Sequence, residues 1–231
     1  MKYKSFANFR WLALVVFIVT VAISSCSKTD KTYYHYTNNL ATFNGNAVVY
    51  LQSQPAGIYD SMLLVINRLT GIKDTLSSGN ITLFAVSNNS FSLALQNINQ
   101  ARMDSVPQMP PVSFSTIDSA VLDTFFCRYI IQGQHLSDSL VGFTDGLLFP
   151  SIRYNYNMQM QFIRTNASGF LGGGPKAIIF SDPKNSIFTR NWIRVNTVTV
   201  DIKTKNAVID VLPPGHDFGF GDDFIKSANF R

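Results

Sequence analysis

The chain offers few side chains suited to proton transfer or metal binding: three histidines, two cysteines and 14 acids, every acid an aspartate. His216, with Asp217, Asp222 and Asp223 close by, is the densest set of potential ligands. A metal site needs donors converging from a rigid frame, whereas carboxylates in a glycine-rich stretch are ordinarily solvated. His35 sits among Tyr33, Tyr34 and Tyr36, and His135 follows Gly133 in a loop, so no two histidines share the spacing one metal ion would require. A serine triad would have to assemble from distant positions, and the Gly-x-Ser-x-Gly turn is absent. Cys127 lies in an apolar helical pattern where nothing local would stabilise a thiolate, so packing is its expected role. Gly172-Gly173-Gly174-Pro175 could cradle phosphate only if it led into a helix, and it leads into Lys176-Ala177-Ile178-Ile179-Phe180, a strand pattern. No catalytic residue, cofactor or metal ion is expected.

The other cysteine, Cys26, has a different setting. Lys2, Lys4 and Arg10 form a basic start, and Trp11 to Ile23 is an almost unbroken apolar run of 13 residues. A membrane-crossing helix needs about 20 apolar residues, so this run has the length of a signal-peptide core. Ile23-Ser24-Ser25-Cys26 resembles the lipobox of bacterial lipoproteins, which implies cleavage after Ser25 and lipidation of Cys26. That leaves Cys127 without a partner, and no intrachain disulfide is expected.

Loss of residues 1–25 would also remove three of the 19 basic residues, leaving 16 against 14 acids. A net charge near +2 is no electrostatic footprint for nucleic acid. The 206 residues that remain suffice for one domain with a sizeable core.

The elements that would position these groups follow from periodicity. Residues 26–44 are polar and aperiodic, as a tether is. Ile58, Met62, Val65, Ile66 and Leu69 recur at helical spacing, with Asp60 near the start and Gly71 past the end. Ile81 to Val86 reads as a strand running through Ser87, a cap, into a helix that buries Phe91, Leu95 and Ile98. Pro107, Pro110 and Pro111 mark residues 100–114 as an exposed loop. Ile117, Val121, Leu122, Phe125, Phe126 and Tyr129 form the face of a second helix, capped by Ser115 or Thr116 and ended by Gly133. Met158, Met160 and Phe162, and later Val198, Val200 and Ile202, alternate with polar or outward residues as half-buried strands do. Helices around Met62 and Phe125 packed on a β-sheet wedge from the second half of the chain make an α+β fold.

Three segments of this arrangement resemble the fasciclin domain, an α+β adhesion module. Gly79 to Phe91 (GNITLFAVSNNSF) is similar to the family's first segment, Leu122 to Gly133 (LDTFFCRYIIQG) to its middle segment, and Val198 to Phe220 (VTVDIKTKNAVIDVLPPGHDFGF) to its closing segment. The resemblance spans Ala41 to Phe220. It departs where the family has proline (Val86), Tyr-His (Arg128-Tyr129) and Asn-Gly-Val-Ile-His (Asn206-Ala207-Val208-Ile209-Asp210), so both signature histidines are missing. Phe84, Phe91, Tyr129, Ile131, Val208 and Val211 are expected in the core. The expected organisation is a signal peptide at 1–25, a tether at 26–44, a fasciclin-like domain at 45–220 and a C-terminal tail at 221–231.

The resemblance implies a non-catalytic adhesion or binding module, anchored at the outer membrane by Cys26, with a protein or polysaccharide partner. The alternative is an accessory glycan-binding lipoprotein of an outer-membrane polysaccharide-uptake system; the abundance of Asn, Phe and Tyr is similar to proteins of the Bacteroidota. Exposed aromatics in the Pro-rich loop or at Tyr154-Asn155-Tyr156 would favour glycans, and a continuous apolar patch a protein. Asp60-Ser61-Met62, Asp74-Thr75-Leu76, Asp104-Ser105-Val106, Asp118-Ser119-Ala120 and Asp138-Ser139-Leu140 resemble the short O-glycosylation signal of that phylum. Aspartate before serine also begins helices, so Asp104-Ser105-Val106, in the loop, is the best candidate.

Overall fold

A computed structural model describes residues 40–167, 169 and 171–229, which belong to one compact unit, Asn38–Arg231. Cys26, His35 and the segment read as a signal peptide lie outside the described residues.

The fold is α+β. It opens with three short helices, α1 (Ala47–Ser53), α2 (Asp60–Arg68) and α3 (Ile72–Ser78). In α2 the stripe Met62, Val65, Ile66 is buried, Asp60 and Arg68 sit at the ends that favour their charges, and Arg68 also donates to the carbonyls of Phe114 and Ile117. Gly71, at φ 76°, turns α2 into α3. Strand β1 (Ile81–Ala85) is buried along its whole length and leads through Ser87 into α4 (Asn88–Met103). After the Pro-rich loop come α5 (Ser119–Phe126), a 3₁₀ turn at Cys127–Tyr129 and β2 (Ile130–Gln132).

The remainder is largely strand: β3 (Leu147–Pro150), β4 (Asn157–Arg164), β5 (Lys176–Asp182), β6 (Ile193–Asn196), β7 (Thr199–Lys203) and β8 (Ala207–Val211), followed by α6 (Asp222–Asn229). With β1 and β2, the six strands form two four-stranded sheets, ordered β2-β1-β8-β7 and β3-β4-β5-β6. The second sheet is antiparallel throughout. In the first, β1 runs parallel to β8 with Leu83 opposite Ile209, and antiparallel to β2 with Leu83 opposite Ile130. Strand β1 is thus paired on both edges and also buried on both faces, and its residues are apolar except Thr82, whose hydroxyl donates to the Gly133 carbonyl at 2.8 Å.

The sheets share one core. Phe84 of β1 stacks on Phe180 of β5 at 3.7 Å between ring centroids, and Tyr129 lies among Phe180, Phe218 and Phe220. On the helical side, Phe218 meets Phe91 of α4 at 4.4 Å and Phe224 of α6 at 5.1 Å. Of the expected core residues, Phe84, Phe91, Tyr129, Ile131 and Val208 are buried, and Val211 is partly buried against the same cluster.

Several expectations need correction. Within the expected C-terminal tail at 221–231, residues 222–229 form the helix α6, which buries Phe224 against Phe125 and Phe218. The tether does not extend to residue 44, because Thr42 bridges to Lys203 and the Phe43 amide donates to the Lys203 carbonyl at 2.8 Å. Helix α5 is capped by Asp118, whose carboxylate accepts from the Ala120 amide at 2.6 Å, and not by Ser115 or Thr116. It stops at Phe126, since the β-branched pair Ile130-Ile131 is drawn into β2. Helix α4 covers the start of the Pro-rich segment, up to Met103. Ser87 holds the cap position of α4, but its buried hydroxyl makes no hydrogen bond. In β7 the alternation fails at Asp201: a register shift between Thr199 and Ile202, with φ 64° at Asp201, turns this aspartate inward beside Ile202.

Candidate functional site

The chemistry-bearing residues cluster where the closing segment leaves β8. The chain turns through Pro213-Pro214-Gly215 and lays His216 against Tyr129, with His216 Nε2 2.7 Å from the tyrosine hydroxyl. The Gly219 amide donates to the same hydroxyl at 2.8 Å. Burial pushes the His216 imidazole down from 6.5 to about 3, and burial holds the Tyr129 phenol well above its ordinary range. Both groups are therefore neutral. All three are satisfied when Tyr129 donates to Nε2 and accepts from Gly219, which places the single N–H proton of the neutral imidazole on Nδ1. Gly219 has φ 85°, and a Cβ there would fall 2.5 Å from the Phe224 ring, so only glycine fits this crossing.

His216 and Asp217 line a pocket of about 360 Å³ with Ile193, Arg194, Pro213 and Phe220. Asp217 Oδ2 accepts from Asn97 at 3.0 Å, while Oδ1 is buried without a partner; burial is the main reason that its carboxyl is shifted upward. No serine, threonine or cysteine is among the residues that line this pocket. A histidine with Nε2 committed to a phenol and its protonation suppressed is a poor general base at neutral pH. The structure thus brings His216 and Asp217 together without a nucleophile. Asp223, in the first turn of α6, does not join them and faces Lys184 at 3.4 Å, while Asp222 lies near enough to Asp217 for its charge to add to the upward shift of that carboxyl. Among the described residues, no group of three or more His, Cys or Asp could hold a metal ion.

The remaining sequence candidates are dispersed. Cys127 is buried with its sulfur 3.6 Å from Asp123 Oδ1, and burial followed by that carboxylate pushes the thiol strongly upward. A thiol so placed is a packing group. His135 is half-buried against Phe149 and lies 2.8 Å from the Gln132 carbonyl oxygen. Gly172–Pro175 makes the turn between β4 and β5, as expected. Tyr154 is 58% exposed, but its hydroxyl donates to Asp123, and the Tyr156 hydroxyl donates to Asp182. The Pro-rich loop presents no exposed aromatic, since Phe114 is buried. Of the Asp-Ser/Thr pairs, 60–61 and 74–75 lie in helices, 118–119 starts one, and 138–139 lies in a 3₁₀ turn. Asp104-Ser105 remains in the loop beside the fully exposed Val106, with the Ser105 hydroxyl donating to the Arg102 carbonyl.

Sequence reasoning missed two buried polar arrangements. In the first, Arg128 Nη1 donates to Asp182 Oδ2 at 2.6 Å, and its guanidinium lies between the rings of Phe125 and Tyr156, 4.2 and 4.1 Å from their centroids. The signal was one arginine inside the apolar run Phe125-Phe126-Cys127-Arg128-Tyr129. In the second, Asp210 Oδ1 accepts from the Asp201 amide at 2.9 Å, while Asp201 accepts from the backbone and hydroxyl of Ser137. Burial, with the neighbouring Asp201, pushes the Asp210 carboxyl from 3.8 to about 8. Here the only signal was an aspartate in an otherwise apolar strand.

No family model matches the chain, and no curated protein matches it. Among solved structures, it is similar to a FAS1 domain pair from the insect cell adhesion molecule fasciclin I, at 15% identity and a TM-score of 0.46. That likeness covers 71% of this chain and 46% of the insect chain, so the protein spans less than half the length of that structure.

Proposed function

We propose that the protein is a non-catalytic, fasciclin-like binding module, held at the bacterial outer membrane through lipidated Cys26 and engaging a protein or polysaccharide partner by its surface. The observation that carries this reading is the neighbourhood of the three fasciclin-like segments. They lie far apart in sequence, yet the middle segment supplies β2, the first supplies β1 and the closing segment supplies β7 and β8 of one sheet. Motifs that come together in one sheet and its core act as a structural signature, which fits a packed scaffold displaying loops.

The histidine and cysteine first considered for chemistry support the same reading. His216 is neutralised by burial and bonded to Tyr129, and Cys127 is held as a buried thiol. The anchor rests on the lipobox-like Ile23-Ser24-Ser25-Cys26, and two acyl chains suffice for stable membrane attachment. Expression of the full chain and of Cys26→Ala with a radiolabelled fatty acid tests it. Label and membrane retention should be present in the first and absent in the second. Equal labelling of both would refute the anchor.

A further inference from the structure

Beside the Arg128–Asp182 pair, α5, α6 and the loop after β5 enclose a pocket of about 430 Å³, within the usual size range of small-molecule sites, about 300–1,000 Å³. Its donors outnumber its acceptors. Both oxygens of Asp182 are already engaged, Oδ2 by Arg128 Nη1 and Oδ1 by the Tyr156 hydroxyl and the Lys184 amide. Arg128 is only 8% exposed, and its Nε is buried without an acceptor. With its two faces covered by Phe125 and Tyr156, the guanidinium can gain partners only at its edge.

Around it stand Lys184, Lys226, Asn185 and Ser227. Lys226 forms no ion pair among the described residues, and Lys184 reaches Asp223 at only 3.4 Å. Three cations thus face two carboxylates, one of them saturated. Lys184 and Asn185 both adopt left-handed backbone, at φ 52° and 51°, a conformation uncommon for lysine, though readily taken by asparagine, and one that is often retained at ligand sites.

We propose that this pocket binds a small anionic, hydroxyl-bearing ligand, such as a sugar acid or sugar phosphate. Its carboxylate or phosphate sits between Lys226, Lys184 and the edge of Arg128, and its hydroxyls meet Asn185 and Ser227. The excess of donors requires an anion, because a neutral sugar would leave the cations unmatched in a partly desolvated site. The neutral Asn185 and Ser227 in the same lining add hydroxyl recognition. This goes beyond the binding-module reading, which assigns no site and stands whether or not the pocket is filled.

Titration calorimetry of residues 27–231 with glucuronate, glucose 6-phosphate, inorganic phosphate and glucose tests the assignment. Saturable binding of glucuronate or glucose 6-phosphate is expected, weakening with added salt, and the preferred one of the two identifies the anionic group. Lys226 is exposed, so Lys226→Glu should keep the circular dichroism spectrum and weaken that binding about tenfold or more. Ser227→Ala should reduce the advantage of the sugar over inorganic phosphate. Glucose binding as well as the acids, an unchanged affinity in Lys226→Glu, or no saturable binding of any anion would overturn the proposal.

Discussion

The Tyr129 hydroxyl lies 2.7 Å from Nε2 of His216, bonding the end of the α5 segment to the loop that closes the fold. Because burial depresses His216 from 6.5 to about 3, the unfolded chain takes up a proton there before the folded chain does. This histidine therefore costs the fold nothing above pH 6.5, and its contribution is lost as pH falls from about 6.5 towards about 3. The slope reaches up to about 1.4 kcal/mol per pH unit. His216→Gln keeps an acceptor for Tyr129 and does not titrate. Urea unfolding across that range should show a shallower acid limb than the parent, and identical limbs would rule out the neutral buried imidazole.

Asp210 works in the opposite direction. Its folded carboxyl is raised from 3.8 to about 8, so the folded state holds a proton that the unfolded state releases, and stability falls as pH rises from about 4 to about 8. Asp210→Asn retains an oxygen for the Asp201 amide and should remove that decline. Between pH 4 and 6.5 the two groups oppose each other, and above 6.5 the aspartate acts alone. Thermal melts at pH 6.5 and pH 8, where the aspartate acts alone, should therefore separate less in Asp210→Asn than in the parent; an equal separation would disprove the raised carboxyl.

Gly219 is the tightest point of the closing loop. Gly219→Ala places a Cβ 2.5 Å from the Phe224 ring on a backbone at φ 85°, which should destabilise the protein by about 2 kcal/mol or more. Gly215 has open space at its Cβ and no left-handed φ. Gly215→Ala should be nearly neutral, so equal melting temperatures for the two variants would contradict the packing described.

Cys127 should behave as a packing group. In residues 27–231 it is the sole thiol of the sequence, and it should react with an aromatic disulfide reagent only on unfolding. Cys127→Ala should cost about 1 kcal/mol and leave ligand binding unchanged. Rapid stoichiometric reaction of the native thiol would reopen a nucleophilic role.

Local periodicity made part of this structure legible. The stripe of α2, the largely apolar β1 and its turn into α4 could be read because each is encoded within about a dozen residues. What escaped depends on distant partners. The helical turn of α6 looks like a polar tail until Phe125 and Phe218 are placed against Phe224. Asp201 fits the outward side of an alternating strand until a bulge turns it towards Ser137. The donors of the Arg128 pocket come from the 3₁₀ turn after α5, the loop after β5 and α6, and their spacing along the chain carries no period. The short helices α1 and α3 were also not anticipated, since each spans only seven residues.

The central claim, a module that binds without turning anything over, is tested most directly by immobilising residues 27–231 and passing purified envelope polysaccharides and detergent-solubilised envelope proteins across them. The account predicts saturable retention of a polysaccharide or a protein, eluted with its mass distribution unchanged after prolonged contact. Elution of shortened chains or cleaved protein would contradict it, and so would the absence of retention from both fractions.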